Sequence, residues 1–208
     1  MIDPIILLNY SLIVLGFVFI PGPATLFTVA RATSSGAKVG IATGVGIALG
    51  DIIHTLMAVI GISAIIATSA LLFSIIKYAG AAYLIYLGIR AILQKAPIDL
   101  SNGALPVSAG EAFRQGILSE VLNPKTALFF LAFLPQFVQP ENGMVALQLI
   151  ILGTVFVALG LFSNIVFALG SGGLGKFLRR NPAVLKWQGK VVGSIYCALG
   201  ARLTFLDR

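Results

Sequence analysis

The 208-residue sequence predicts an all-α integral membrane protein: six transmembrane helices set as two inverted three-helix repeats, with helices one and four broken. Three observations predict it. Hydrophobic residues make up 58% of the chain and charged residues 10%, with a mean hydropathy of +1.02. Apolar runs of spanning length recur along the chain, and proline interrupts two of them. Soluble proteins carry about 25% charged residues, so this composition lacks the polar material to cover a water-facing globule. In the bilayer core only helices or closed barrels satisfy every backbone group, and runs this continuous do not alternate as barrel strands do.

The first run, Ile5–Ile20, follows Met1-Ile2-Asp3-Pro4. No basic n-region precedes it and no small-residue cleavage site follows, so it reads as a retained helix rather than a signal peptide. It ends at Pro21-Gly22-Pro23. The second run, Val39–Thr68, is preceded by Gly36 and carries glycines 40 and 44, then 46 and 50, a four-residue spacing that lets a membrane helix approach its neighbours closely. The third is Leu71–Leu93, and Gln94–Ser108, with Pro97, Asp99, Asn102, Gly103 and Pro106, reads as a linker. Ser108 followed by Glu111 fits a capping box opening the fourth run, Ala109–Phe137, which Asn123-Pro124-Lys125 interrupts. Val145–Leu169 and Leu185–Leu206 complete the set. The chain therefore reads as one transmembrane transporter domain over 1–208, with repeat one at about 1–93, the linker at about 94–108 and repeat two at about 109–208.

The halves either side of the linker echo one another. Lys77-x-x-Gly80-x-x-Tyr83 and Leu87-Gly88-x-Arg90 return as Lys190-x-x-Gly193-x-x-Tyr196 and Leu199-Gly200-x-Arg202, with a one-residue change of register between the blocks. Ala48-Leu49-Gly50 returns as Ala158-Leu159-Gly160, which sets His54 opposite Asn164, and Pro23-Ala24-Thr25 answers Pro124-Lys125-Thr126. Repeats of three helices must cross the membrane in opposite senses, the inverted architecture common in secondary transporters.

The chain holds 14 Lys and Arg against 7 Asp and Glu, a formal charge of +7 and a pI near 9.9. Ten of those cations fall in or beside the odd-numbered loops: Arg31 and Lys38; Arg90, Lys95 and Arg114; then Lys176, Arg179, Arg180, Lys186 and Lys190. By the positive-inside rule these loops are cytoplasmic and both termini lie outside. The basic balance is thus a topology signal and gives no support to a nucleic-acid partner. The single cysteine, Cys197, permits no intramolecular disulfide.

Broken helices at corresponding places in two repeats are the best sequence pointer to a transporter's site, because a half-helix beginning there aims free N–H groups and a positive dipole end at the ligand. Candidate substrate-binding residues are accordingly Pro21, Gly22, Pro23, Asn123, Pro124 and Lys125, with Asn164 from the fifth helix; a simple kink relieved by neighbours is the plainer reading. Asp51 and His54, three residues apart, share a helix face, and with Glu120 they are the candidates for ion coupling, since an intramembrane carboxylate normally faces a cavity and does something. The plainer alternatives are an Asp51–His54 hydrogen bond bracing two helices and a Glu120 lying near the interface. Lys125, equally deep, needs a partner, with Glu120 or Asp51 available. One histidine offers no metal-ligand cluster, so no metal and no cofactor are expected. Gly170-Ser171-Gly172-Gly173-Leu174-Gly175-Lys176 imitates a phosphate loop but continues into Phe177 where Ser or Thr is required.

Pro21-Gly22-Pro23, the glycines through Gly50-Asp51-x-x-His54, Lys77-Tyr78-Ala79-Gly80-Ala81-Ala82-Tyr83-Leu84, Phe113-Arg114-Gln115-Gly116, Asn123-Pro124-Lys125-Thr126-Ala127 and Phe133-Leu134-Pro135-Gln136-Phe137 together resemble the lysine-exporter (LysE/RhtB) translocators in order and spacing. The resemblance implies a multi-pass exporter of an amino acid or similar small zwitterion across a bacterial inner membrane. It implies an ion gradient as driving force, by proton antiport or alternatively sodium, and it accommodates a homodimer. The rival readings are an intramembrane enzyme using Asp51, His54 and Glu120, and a membrane assembly factor; the sequence has no nucleophile motif for the first and no soluble domain for the second.

Overall fold

The computed structural model describes residues 2–19, 22–68, 70–93, 105–180 and 182–205, and these are helical almost throughout. Helix α1 (Pro4–Phe19) is followed by α2 (Pro23–Ser35), α3 (Ala37–Thr68) and α4 (Ala70–Leu93). After the linker come α5 (Ala109–Val121) and α6 (Pro124–Leu128), which runs on as a π-helical turn at Phe129–Phe133 and a 3-10 turn at Leu134–Phe137. A further 3-10 turn at Pro140–Asn142 leads into α7 (Val145–Arg180), and α8 (Pro182–Phe205) ends the described chain. Three of these helices are long and apolar enough to cross a membrane, or five spans if each bent pair counts as one, among the described residues. The pairs are α1 with α2, bent by 51°, and α5 with α6 and its extension, bent by 44°. The expected breaks in helices one and four are therefore present, and α8 covers the sixth apolar run.

Three boundaries differ from expectation. Residues 23–35, expected to be the end of helix one and its loop, form α2, because Leu26, Val29 and Ala32 recur on one buried face. Arg31 therefore stands on a helix, hydrogen-bonding the Leu105 carbonyl and Gln115. Helix α7 continues to Arg180 through the glycine-rich string: hydropathy marks where an apolar span ends, whereas the backbone ladder has no reason to stop there. Gly36 is not part of the packing ladder; at φ +91° it makes the turn between α2 and α3 and nothing lies near the place of its missing Cβ. The linker segment 94–104 and Pro21 lie outside the described residues. Ser108 caps α5 as expected, its hydroxyl accepting from the Glu111 N–H at 3.2 Å.

Gly40, Gly44, Gly46 and Gly50 of α3 do let neighbouring helices approach closely. A Cβ at Gly46 would stand 2.1 Å from the Phe113 carbonyl oxygen, and one at Gly116 2.4 Å from that of Thr43, so α3 and α5 touch main chain to main chain. Gly40 and Gly44 admit α7 at Ala168 and Asn164. Gly46→Val cannot be absorbed by a rotamer, since the obstacle is backbone; overpacking of this kind costs about 1–3 kcal/mol. Gly46→Val should therefore lower the melting temperature of the detergent-solubilised protein by several degrees, while Gly61→Ala, with open space at its Cβ, leaves it unchanged or raises it; equal melting of the two variants would contradict this packing.

The core of the bundle holds a cluster of rings. Tyr10, Phe17, Phe129, Phe130, Phe133, Phe137 and Phe156 are all buried. Phe129, in the π-helical turn, is the hub, with centroids 4.6 Å from Phe17, 4.9 Å from Phe156 and 5.1 Å from Phe133. The cluster draws on α1, on the segment beyond the second break, and on α7, so it joins the arms that leave the two breaks.

Candidate functional site

Proline chemistry determines the site. Pro124 has no N–H, so the carbonyl four residues earlier, that of Glu120, loses its helical partner. Two other donors replace it: the Asn123 N–H at 2.9 Å and His54 Nε2 at 3.0 Å. Facing a carbonyl, that ring nitrogen is the one bearing hydrogen. The His54 ring also stacks on Phe130 at 5.8 Å, so one α3 side chain holds both arms of the break. Asn123 caps α6, its Oδ1 accepting from the Lys125 N–H at 3.1 Å, and its Nδ2 donates to both Glu120 oxygens at 3.2 and 3.1 Å. The Thr126 hydroxyl donates to Glu120 as well. The Glu120 carboxylate is thus folded over its own helix end.

The first break follows the same rule. Pro21 also lacks an N–H, which orphans the carbonyl of Phe17. Among the described residues its donor is the ammonium of Lys125, at 3.3 Å. That ammonium lies 4.1 Å from the Phe17 ring centroid and 5.9 Å from that of Tyr196, an aromatic environment that attracts a cation. The neighbouring carbonyl, Val18, accepts from the Ser163 hydroxyl at 2.9 Å. Gly22 is the N-cap of α2, which has no side-chain cap among the described residues, and a Cβ at Gly22 would lie 3.3 Å from the Lys125 nitrogen.

Asp51 and Glu120 are each 2% exposed and lie close enough across the α3–α5 contact for their charges to interact. Asp51 Oδ1 has no hydrogen-bond partner. Asp51 is 14 residues into the 32-residue α3, roughly 21 Å from its start at 1.5 Å per residue, and so near the middle of the span. Gly160 of α7 approaches Oδ2, and next along α7 Asn164 accepts from the Thr28 hydroxyl at 2.9 Å while donating to the Gly160 carbonyl at 3.0 Å.

These groups enclose a small cleft of about 40 Å³, room for a few water molecules. Of the sequence candidates, Gly22, Asn123, Lys125, Asn164, Asp51 and Glu120 line it. Pro23 and Pro124 are exposed and act by starting helices, and His54 stands behind the break. The expected Asp51–His54 partnership is replaced: His54 Nε2 turns to the Glu120 backbone. Lys125 makes an ion pair with neither carboxylate among the described residues and goes to Phe17 instead. Phe17, Thr25, Thr126 and Phe156 also line the cleft without having been singled out. Phe17 was findable, since it stands four residues before Pro21. No group of three His, Cys, Asp or Glu that could hold a metal occurs among the described residues.

The family model of the LysE type translocators matches residues 15–206. Among curated proteins, an uncharacterized membrane protein of Vibrio cholerae is 30% identical over 94% of this chain and 95% of its own length. The membrane protein YrhP of Bacillus subtilis is 34% identical over 94% of this chain and 97% of its own. A homoserine/homoserine lactone efflux protein of Salmonella typhimurium is 31% identical over 88% of each chain. No solved structure matches.

Proposed function

The chain belongs to the LysE type translocator family, a multi-pass membrane protein, and from that membership we propose that it exports an amino acid or a related small zwitterion across a bacterial inner membrane in exchange for protons. The observation that carries the reading is the convergence of both helix breaks on one small cleft near mid-span. The cleft offers an anion two kinds of partner: the N–H groups at the start of the 13-residue α2, with its positive dipole end, and the ammonium of Lys125. A substrate carboxylate suits both. The name of the Salmonella relative favours a small substrate with an uncharged side chain.

The Asp51–Glu120 pair supplies the coupling. A proton on Asp51 leaves a single negative charge at the contact; without it two like charges face each other in a nearly dry setting. Uptake and release of that proton therefore changes the force between α3 and α5, the helices whose backbones touch at Gly46 and Gly116. The two halves act as inverted repeats that rock about the breaks, with the Arg31 and Arg114 side cytoplasmic and both termini outside.

The experiment is expression in a bacterium sensitive to toxic amino acids and their analogues, with efflux of labelled substrate measured in parallel. Tolerance to at least one compound, with faster efflux, is the expected result. Sensitivity to every member of the panel, with the protein present in the membrane, would overturn the reading. Within the panel, a methyl ester exported as well as its parent acid would remove the carboxylate from substrate recognition.

A further inference from the structure

Lys125 has a choice of partners and takes an unexpected one. Its four-carbon stem leaves α6 at a cleft whose wall includes Asp51 with an oxygen unpartnered. The ammonium nevertheless sits on the Phe17 carbonyl and over the Phe17 ring, with Tyr196 beyond. Each part of that seat is suited to an ammonium group: a carbonyl freed of its helical partner by Pro21, an aromatic face at 4.1 Å, and the bare backbone of Gly22 leaving room beside it.

We infer that the Phe17 carbonyl and the Phe17 and Tyr196 rings form the seat for the ammonium group of the transported molecule, which Lys125 occupies as a tethered stand-in until substrate arrives. This inference rests on the exporter reading. When a zwitterion enters, its carboxylate draws Lys125 off the seat, and its own ammonium takes the vacated carbonyl and ring. One ammonium replaces another, so the orphaned Phe17 carbonyl is never left bare and the seat's charge is conserved. A ligand bearing only a carboxylate pulls Lys125 away and leaves the seat empty; one bearing only an ammonium must displace a tethered competitor. Both halves of the zwitterion are then needed together, which makes this pair of residues a filter for small amino-bearing acids.

The test uses the full chain in lipid nanodiscs with n-butylammonium as probe, its binding read calorimetrically. Lys125→Met keeps the stem and empties the seat, so it should bind n-butylammonium at least about tenfold more tightly than the native protein; Lys125→Arg, which keeps a resident cation, should not. Adding Phe17→Leu to Lys125→Met should abolish the gain. Binding unchanged in Lys125→Met, or a gain that survives Phe17→Leu but disappears with Asp51→Asn, would overturn the seat and put the ammonium on Asp51. Should Lys125→Met fail to give a monodisperse protein, Phe17→Leu alone decides in proteoliposomes. It should reduce discrimination between the exported amino acid and its 2-hydroxy analogue, and undiminished discrimination refutes the seat. If n-butylammonium binds as expected while no amino acid is exported, the seat stands and the exporter reading falls.

Discussion

Asp51→Asn should reduce efflux driven by a pH gradient by about a hundredfold or more, the order by which losing a positioned proton-transfer group slows a reaction. Substrate-for-substrate exchange at equal pH should continue within about threefold, because the amide preserves the shape of the cleft and removes none of the groups assigned to carboxylate or ammonium. Stability should stay level or rise, since a buried carboxylate oxygen with no hydrogen-bond partner costs free energy in the folded state. Glu120→Gln makes the informative contrast. Glu120 accepts from Asn123 at both oxygens and from Thr126, and an amide supplies only one acceptor in that place. Glu120→Gln should therefore lower both coupled efflux and the melting temperature. Asp51→Asn protein that retains full pH-driven efflux in proteoliposomes would remove Asp51 from proton coupling, whatever Glu120→Gln shows.

Much of this architecture is legible in the residues, and where legibility ends is physically instructive. Composition and run length indicate membrane helices because bilayer thickness sets a length that chance rarely reaches. Pro21-Gly22-Pro23 and Asn123-Pro124 mark the breaks because a missing N–H is a covalent fact that no tertiary contact can restore. Hydropathy says nothing about where helices stop in water, so α2 and the far end of α7 escape it. The partners of His54 and Lys125 escape for another reason: a side chain chooses among all acceptors within reach, and which acceptors are within reach depends on helix crossings that one sequence does not rank. Spacing puts Asp51 and His54 on one face, yet the stronger demand on His54 is a carbonyl on another helix that proline has stripped of its donor. The rule that a proline orphans the carbonyl four residues before it would have pointed to Phe17 and Glu120 directly, and both prove to be where the two basic side chains go.

A double-mutant cycle tests that rule at the second break. His54→Phe keeps a ring to stack on Phe130 and removes the donor to the Glu120 carbonyl, which retains only the Asn123 N–H; the loss should be about 1 kcal/mol. For a chain of this length that is roughly 2–4 °C in melting temperature. Pro124→Ala restores an N–H at the position from which a regular helix would supply Glu120. Pro124 stands in the first turn of α6, where a proline is tolerated, so this variant should melt within a few degrees of the native protein while exporting at least about tenfold more slowly, because the bend that opens the cleft is part of the working geometry. In the Pro124→Ala background His54→Phe should cost much less than in the native protein, the difference being a coupling of about 1 kcal/mol between residues on different helices. Strict additivity would show that His54 does not serve the carbonyl that Pro124 exposes. The same logic at the first break predicts that Pro21→Ala, by offering the Phe17 carbonyl an ordinary helical donor, releases Lys125 from the aromatic seat. Its ammonium would then compete less with n-butylammonium for the ring but no longer have a bare carbonyl to leave behind. A stable but sluggish transporter at either position would locate the function in the two missing N–H groups rather than in the bulk of the proline rings.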